Sequence, residues 1–386
     1  MCGPTAVDRA VAPVSQSTTD PALIAPPPDG AGGMLITMGE ARARVADTIR
    51  DRAATTGDRT PLTLRVLVLS AGGQYGAYGA GFLTGWSQNA RTPRPAFDLV
   101  TGVSAGAILS VVAQAGPRFD PLLSPWNGLD EPSVLRRIRG PGLLRAPALS
   151  DPAPLERLIR TQLSDDLIAA LGARDTDGAR TLISAVDLES TRAQVFDLGA
   201  LAGSNLPIDR KRDCLTETLL ASAAVPGLFP PRNIDGRLYY DGGLRDQLFL
   251  ASVDAARDEV ARETGRQVTV EARVVLNGAL DLPDGPVRDT LPDYFLRAFR
   301  ILGDEVLRNS VSRVIDFAAK RPHWRLSGVV GQVDLAACGD SALAFDACVT
   351  GALFRQGLAD GRAVPIDWLG PAELGALALS PGAGTE

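Results

Sequence analysis

A serine flanked by glycines, in Gly102-Val103-Ser104-Ala105-Gly106, is the first candidate nucleophile in this chain. It falls between a short strand-like run, residues 97–101, and an apolar helical stretch, residues 105–115. A serine in a sharp strand-to-helix turn projects its hydroxyl from the sheet. Flanking glycines there remove side chains that would collide with the strand and helix around it. The helix N-terminus behind Ser104 also favours negative charge on a substrate oxygen. In a chain with 40 glycines the five-residue pattern arises easily by chance, so its placement gives it weight.

A second signal is Ser70-Ala71-Gly72-Gly73-Gln74-Tyr75-Gly76, directly after the β-branched and leucine run 64–69. A glycine-rich turn exposes backbone N–H groups that can take a phosphate or the oxyanion of a tetrahedral intermediate. Neither G-x-x-x-x-G-K-[ST] nor a strict G-x-G-x-x-G is present. An oxyanion hole with Gly72 and Gly73 as donors is the better match; a turn that merely lets helix and sheet pack is the alternative. The third signal is Asp241-Gly242-Gly243, at the end of a short strand-like run, 238–240. A carboxylate beside two glycines can approach another residue closely, although an Asp-Gly pair standing alone is more often an ordinary turn.

The elements that must position these residues follow from periodicity. Ala41, Val45 and Ile49 predict an amphipathic helix over 39–54. The run 64–69 predicts a buried strand, followed by a helix over 77–86. Further strands are predicted at 97–101, 182–188, 193–198 and 272–276, and helices at 105–115, 151–163 and 215–224, the last stopped by Pro226. Phe295, Phe299, Leu302 and Val306 predict a long core helix running toward Lys320. Residues 116–150, rich in Pro, Gly and Arg, predict a covering insertion with Trp126 exposed. The β–α succession points to parallel strands with helical crossovers.

The three motifs, in this order, resemble the patatin-like phospholipases, as does Ala221-Ser222-Ala223-Ala224-Val225-Pro226-Gly227-Leu228-Phe229-Pro230-Pro231 ahead of Asp241. The resemblance covers about residues 62–320. It implies an α/β fold, a three-layer α/β/α sandwich with a mainly parallel central sheet. It also implies a Ser–Asp dyad of Ser104 and Asp241, an oxyanion hole at Gly72 and Gly73, and motif glycines at Gly76, Gly102, Gly106, Gly242 and Gly243. The expected activity is hydrolysis of a lipid or other acyl ester through an acyl-serine. Two positions depart from the family: Ala71 replaces the first glycine of its loop, and Tyr75 replaces its usual Arg or Lys. A Ser-Asp-His triad is the competing assignment, since Ser104, Asp241 and His323 occur in that order. His323, however, lies in the polar segment Lys320-Arg321-Pro322-His323-Trp324. A protein that keeps the hydrolase fold for binding or assembly, without turnover, is the alternative function.

The net charge of −6 gives no electrostatic reason to bind nucleic acid or anionic lipid non-specifically. One histidine and four cysteines argue against a His/Cys zinc site, and no metal or organic cofactor is implied. Cys338 and Cys348 are close enough in sequence for a small-loop disulfide; two unpaired core residues are the alternative. Residues 1–33 are rich in turn formers without hydrophobic period and predict a flexible tether, leaving 34–386 as one catalytic domain. Met1-Cys2-Gly3 looks like the mature start of a bacterial lipoprotein. Lipidation at Cys2 would give membrane association at a cell envelope; a cytoplasmic location is the alternative.

Overall fold

The computed structural model describes residues 35–36, 38–56, 60–250, 253–278, 287, 289–338 and 345–379. The expected tether 1–33, and Cys2 within it, lie outside them. Nine strands form one mixed sheet: β1 Leu35–Ile36, β2 Leu62–Leu69, β3 Leu99–Gly102, β4 Arg180–Asp187, β5 Ala193–Asp197, β6 Arg232–Ile234, β7 Arg237–Asp241, β8 Val268–Leu276 and β9 Trp324–Val330. The main path runs β1-β5-β4-β3-β2-β8-β9, with β7 joined to β4 and β6. The five strands β4-β3-β2-β8-β9 are parallel, and β1, β5, β6 and β7 pair antiparallel.

The period of two along β2 explains the layering. Leu67 and Leu69 enter one apolar cluster, whereas Leu62, Leu64, Val66 and Val68 enter another on the opposite face. The first cluster is closed by α2 Gly76–Ser87, α3 Ala105–Ala115, α6 Ile208–Ser222 and α9 Ala347–Arg362, with α4 Ala153–Gln162 and α5 Asp165–Thr176 toward one side. The second is closed by α1 Met38–Thr55, α7 Val253–Thr264, the second half of α8 Leu291–Ala319, and α10 Pro371–Leu379. Helices on both faces of a largely parallel sheet make the expected three-layer α/β/α sandwich.

Helices α2 and α9 meet at backbone distance. A Cβ on Gly81 would sit 2.1 Å from the Phe354 carbonyl oxygen, and one on Gly357 would sit 2.1 Å from that of Tyr78. This reciprocal contact holds the start of α2 and the glycine-rich loop before it.

Two sequence expectations change. Trp126 is buried, not exposed, because its ring packs over Gly76: a Cβ there would lie 2.8 Å from Trp126 Cζ3. The covering segment 116–150 is therefore tied to the site through an aromatic anchor. The long helix is a core helix only in its second half, where Leu307, Val311, Val314 and Ala318 are buried; Leu302 faces solvent. Cys338 and Cys348 are joined in a disulfide, Cα–Cα 5.6 Å, which ties the segment after β9 to the first turn of α9.

Candidate active site

Two strands run toward each other along one edge of β4. β3 lies parallel to β4 and ends with Gly102 opposite Ile183. β7 comes from the other direction and ends with Asp241 opposite Ala185. Because β5 occupies the other edge of both Ile183 and Ala185, β3 and β7 share the same edge. Two residues of β4, about 7 Å of strand, separate the two endings. Ser104 lies just beyond Gly102, close enough for its hydroxyl to favour the ionised form of the Asp241 carboxyl.

The turn at Ser104 is strained. Its φ of 55° and ψ of −121° lie where an L-residue rarely rests, a cost of about 1–3 kcal/mol. Neighbouring contacts hold it there. The Ser104 N–H donates to Ser222 Oγ at 3.1 Å, and the Ser222 hydroxyl donates to the Ser184 carbonyl of β4 at 2.8 Å. The glycines are sterically required. A Cβ on Gly106 would lie 2.3 Å from the Leu69 carbonyl oxygen, one on Gly102 2.4 Å from that of Gly106, and one on Gly242 2.5 Å from that of Ser184. Gly106→Ala is therefore expected to cost at least about 3 kcal/mol, read as a drop in the urea midpoint.

Asp241 is 4% exposed. Burial pushes its carboxyl up to about 6, against the opposing effects of the neighbouring Ser104 hydroxyl and of a hydrogen bond from the Gly243 N–H, 2.7 Å long. Its own N–H donates to the Ala224 carbonyl at 2.9 Å, which locks the end of β7 to the segment after α6.

Ser104 and Asp241 line a cavity of about 790 Å³. Gly72, Gly73 and Gly243 line it, and Gly76 packs behind against Ala105 and Trp126. The N–H groups of Gly72, Gly73 and Ala105 have no acceptor among the described residues. Ala105 is a donor that motif reading did not single out, although its place in the first turn of α3 leaves its N–H without an intrahelical partner. Apolar side chains, among them Leu129, Val134, Leu155, Ile159, Leu228 and Phe229, form most of the remaining wall. Of the two departures noted in sequence, Ala71 donates its N–H to the Gln247 carbonyl at 3.4 Å. Tyr75 lines the cavity; burial raises its phenol and the Arg300 charge opposes that.

Asn277 was missed in sequence. It follows the end of β8 and is fully buried. Its Nδ2 donates to the Ser70 carbonyl at 2.5 Å, and its N–H donates to Ser70 Oγ at 2.9 Å. A Cβ on Gly72 would come within 2.7 Å of its Cβ. Asn277 thereby clamps the strand end that launches the glycine loop. The only sequence signal was a polar residue directly after an apolar strand.

His323 lies far from the dyad. It precedes β9, beside Val270 and Leu64, whereas the motifs follow Leu69 at the other end of the parallel strands. That is about 17–20 Å of strand. Its Nε2 is 3.1 Å from Asp254 Oδ1, and Arg321 and Trp324 also donate to Asp254. Asp254, Asp258 and His323 have ligand atoms within 4.8 Å of one another, but the Asp254 carboxylate is already taken by these three donors. His323→Ala is expected to leave kcat/KM on a soluble ester within about twofold; a loss of several orders of magnitude would overturn the dyad assignment.

Comparison with known proteins bears on the same segment. Residues 67–254 match the family model described as patatin-like phospholipase. A stretch of 198 residues, 50% of this chain, is 27% identical to an uncharacterized NTE family protein of Mycobacterium bovis, and equally to uncharacterized NTE family proteins of two strains of Mycobacterium tuberculosis. The match spans 44% of the length of each of these relatives.

Proposed function

The chain carries a patatin-like phospholipase domain over residues 67–254, and from that premise we propose that it is a lipid acyl hydrolase with Ser104 as nucleophile and Asp241 as its base. One observation carries the proposal: a buried serine and a buried aspartate brought together on the wall of a largely apolar cavity.

In the first step Asp241 takes the Ser104 proton while Oγ attacks the ester carbonyl carbon. Negative charge then develops on the carbonyl oxygen, facing the N–H groups of Gly72, Gly73 and Ala105. The C–O bond breaks, the leaving alcohol takes its proton from Asp241, and acyl-Ser104 remains. Water then attacks, deprotonated by Asp241, and Ser104 recovers its proton as the fatty acid leaves. An aspartate of ordinary pKa is a weak base for a hydroxyl. Burial raises Asp241 to about 6, which narrows the mismatch while leaving the carboxylate ionised at neutral pH.

The carboxylate form is the active one. The expected profile of kcat/KM therefore rises tenfold per pH unit below about 6 and is flat above about 7. A profile independent of pH from 4.5 to 8 would remove Asp241 as the base. A panel of short- and long-chain p-nitrophenyl esters tests the activity itself. Wild-type protein inert on all of them and unlabelled by a fluorophosphonate would make the non-catalytic binding reading the leading one.

For location, an envelope facing an oxidising space is the reading that suits the Cys338–Cys348 bridge; both thiols found free in intact envelope material would overturn it.

A further inference from the structure

The first half of α8 has its amphipathicity inverted. At 100° per residue, Asp293, Arg297, Arg300 and Asp304 fall on one face, and these polar side chains line the catalytic cavity. Leu291 and Leu302 fall on the opposite face and Tyr294 and Ile301 on the flank between; all four are exposed, Leu291 at 81% and Leu302 at 65%. They are four of the nine large exposed apolar residues among those described, concentrated on three helical turns. A helix facing water on this side would carry the reverse pattern, as the second half of α8 does with Leu307, Val311, Val314 and Ala318 buried. Clustered apolar side chains of this kind mark a surface that works against a partner.

Two features identify the partner. The patch is continuous with the cavity mouth, since the same turns that expose Ile301 and Leu302 place Arg300, Gly303 and Asp304 on its wall. Leu129 and Leu155 of the same cavity offer an apolar wall to an acyl chain that enters from this side. The charges along these turns also balance: Asp293, Asp304 and Glu305 against Arg297, Arg300 and Arg308. Attraction there comes from apolar burial with no net electrostatic component.

We propose that the outward face of the first half of α8, centred on Leu291, Tyr294, Ile301 and Leu302, is a lipid-surface docking face that seats the cavity mouth against the aggregate holding the substrate. The proposal rests on the lipid acyl hydrolase reading for its purpose, while the contact itself is independent of turnover.

The test therefore separates the two. Flotation with phosphatidylcholine vesicles is measured in a Ser104→Ala background, with and without Ile301→Asp and Leu302→Asp together. The partition coefficient is expected to fall about a hundredfold or more with the two aspartates and to change little between 0.1 and 0.5 M salt. In the active background, the same two substitutions are expected to leave kcat/KM on soluble p-nitrophenyl butyrate within twofold and to cut turnover of vesicle substrate. Equal partitioning with and without the aspartates, or no partitioning at all, overturns the docking face. So does binding abolished by 0.5 M salt. A dimer in size-exclusion chromatography that the two aspartates dissolve, without vesicle binding, would place a second copy of the chain on this face instead. Vesicle binding through these residues in a protein that hydrolyses no ester would keep the face and overturn the hydrolase reading.

Discussion

Asp241→Asn is expected to lower turnover by something on the order of 10⁴-fold and, at the same time, to stabilise the fold above neutral pH. The two effects share one cause. The carboxyl is raised from 3.8 to about 6 by burial, so the folded state holds its proton more tightly than the unfolded chain. Below about pH 4 both states are protonated and the group contributes nothing. Between about 4 and 6 the unfolded chain loses its proton first, and stability falls as pH rises. Above about 6 the full cost is present, on the order of 3 kcal/mol. Asparagine keeps an amide oxygen to accept the Gly243 N–H and carries no charge to desolvate. Its urea midpoint should therefore exceed that of the wild type at pH 8 and match it at pH 4. A variant less stable than wild type at pH 8 would show that the ionised carboxylate is held by hydrogen bonds strong enough to offset its burial.

Ser104→Ala is the second large effect. Removing the nucleophile should cost on the order of 10⁶-fold in kcat and eliminate fluorophosphonate labelling, with the fold intact. Alanine inherits the backbone conformation at φ 55°, so its strain persists. Ser104→Gly should be equally inactive yet more stable than Ser104→Ala by about 1 kcal/mol, because glycine adopts that conformation without a Cβ clash. Labelling that survives Ser104→Ala would place the nucleophile elsewhere.

The sequence was most readable where backbone geometry leaves little choice of residue. Gly102 and Gly106 sit where a Cβ would strike a carbonyl, and Gly73 has a φ of 54°, so these positions announce themselves in a single chain. The β-branched and leucine run 64–69 marked β2, and α3 was legible over its full range, Ala105–Ala115. Legibility ended where the deciding contact comes from far away in sequence. Nothing local says that Trp126 will close over Gly76, that α8 will turn Leu302 outward, or that Asn277 will bind Ser70. The apolar spacing of Phe295, Phe299, Leu302 and Val306 fits a core helix, and it is the tertiary placement of α8 over the cavity that directs the polar side inward. Helix α9 carried no expectation although Val349, Leu353 and Phe354 have helical apolar spacing; the later part of its buried face is Gly357 and Gly361, which carry no side chain to extend that pattern.

The opposed approach of β3 and β7 along β4 has a consequence for biosynthesis. A ribosome adds about 5–20 residues per second, so on the order of ten seconds separate the appearance of Ser104 from that of Asp241. During that interval the growing chain holds the proposed nucleophile without its proposed base, and β4, against which both strands must align, is itself made in between. On the proposed dyad, every prematurely terminated product that stops before β7 is expected to be inert toward lipid. Catalytic competence is thus a property of the finished sheet, and a gene cut between β4 and β7 would yield two silent halves whose regained esterase activity reports their reassembly.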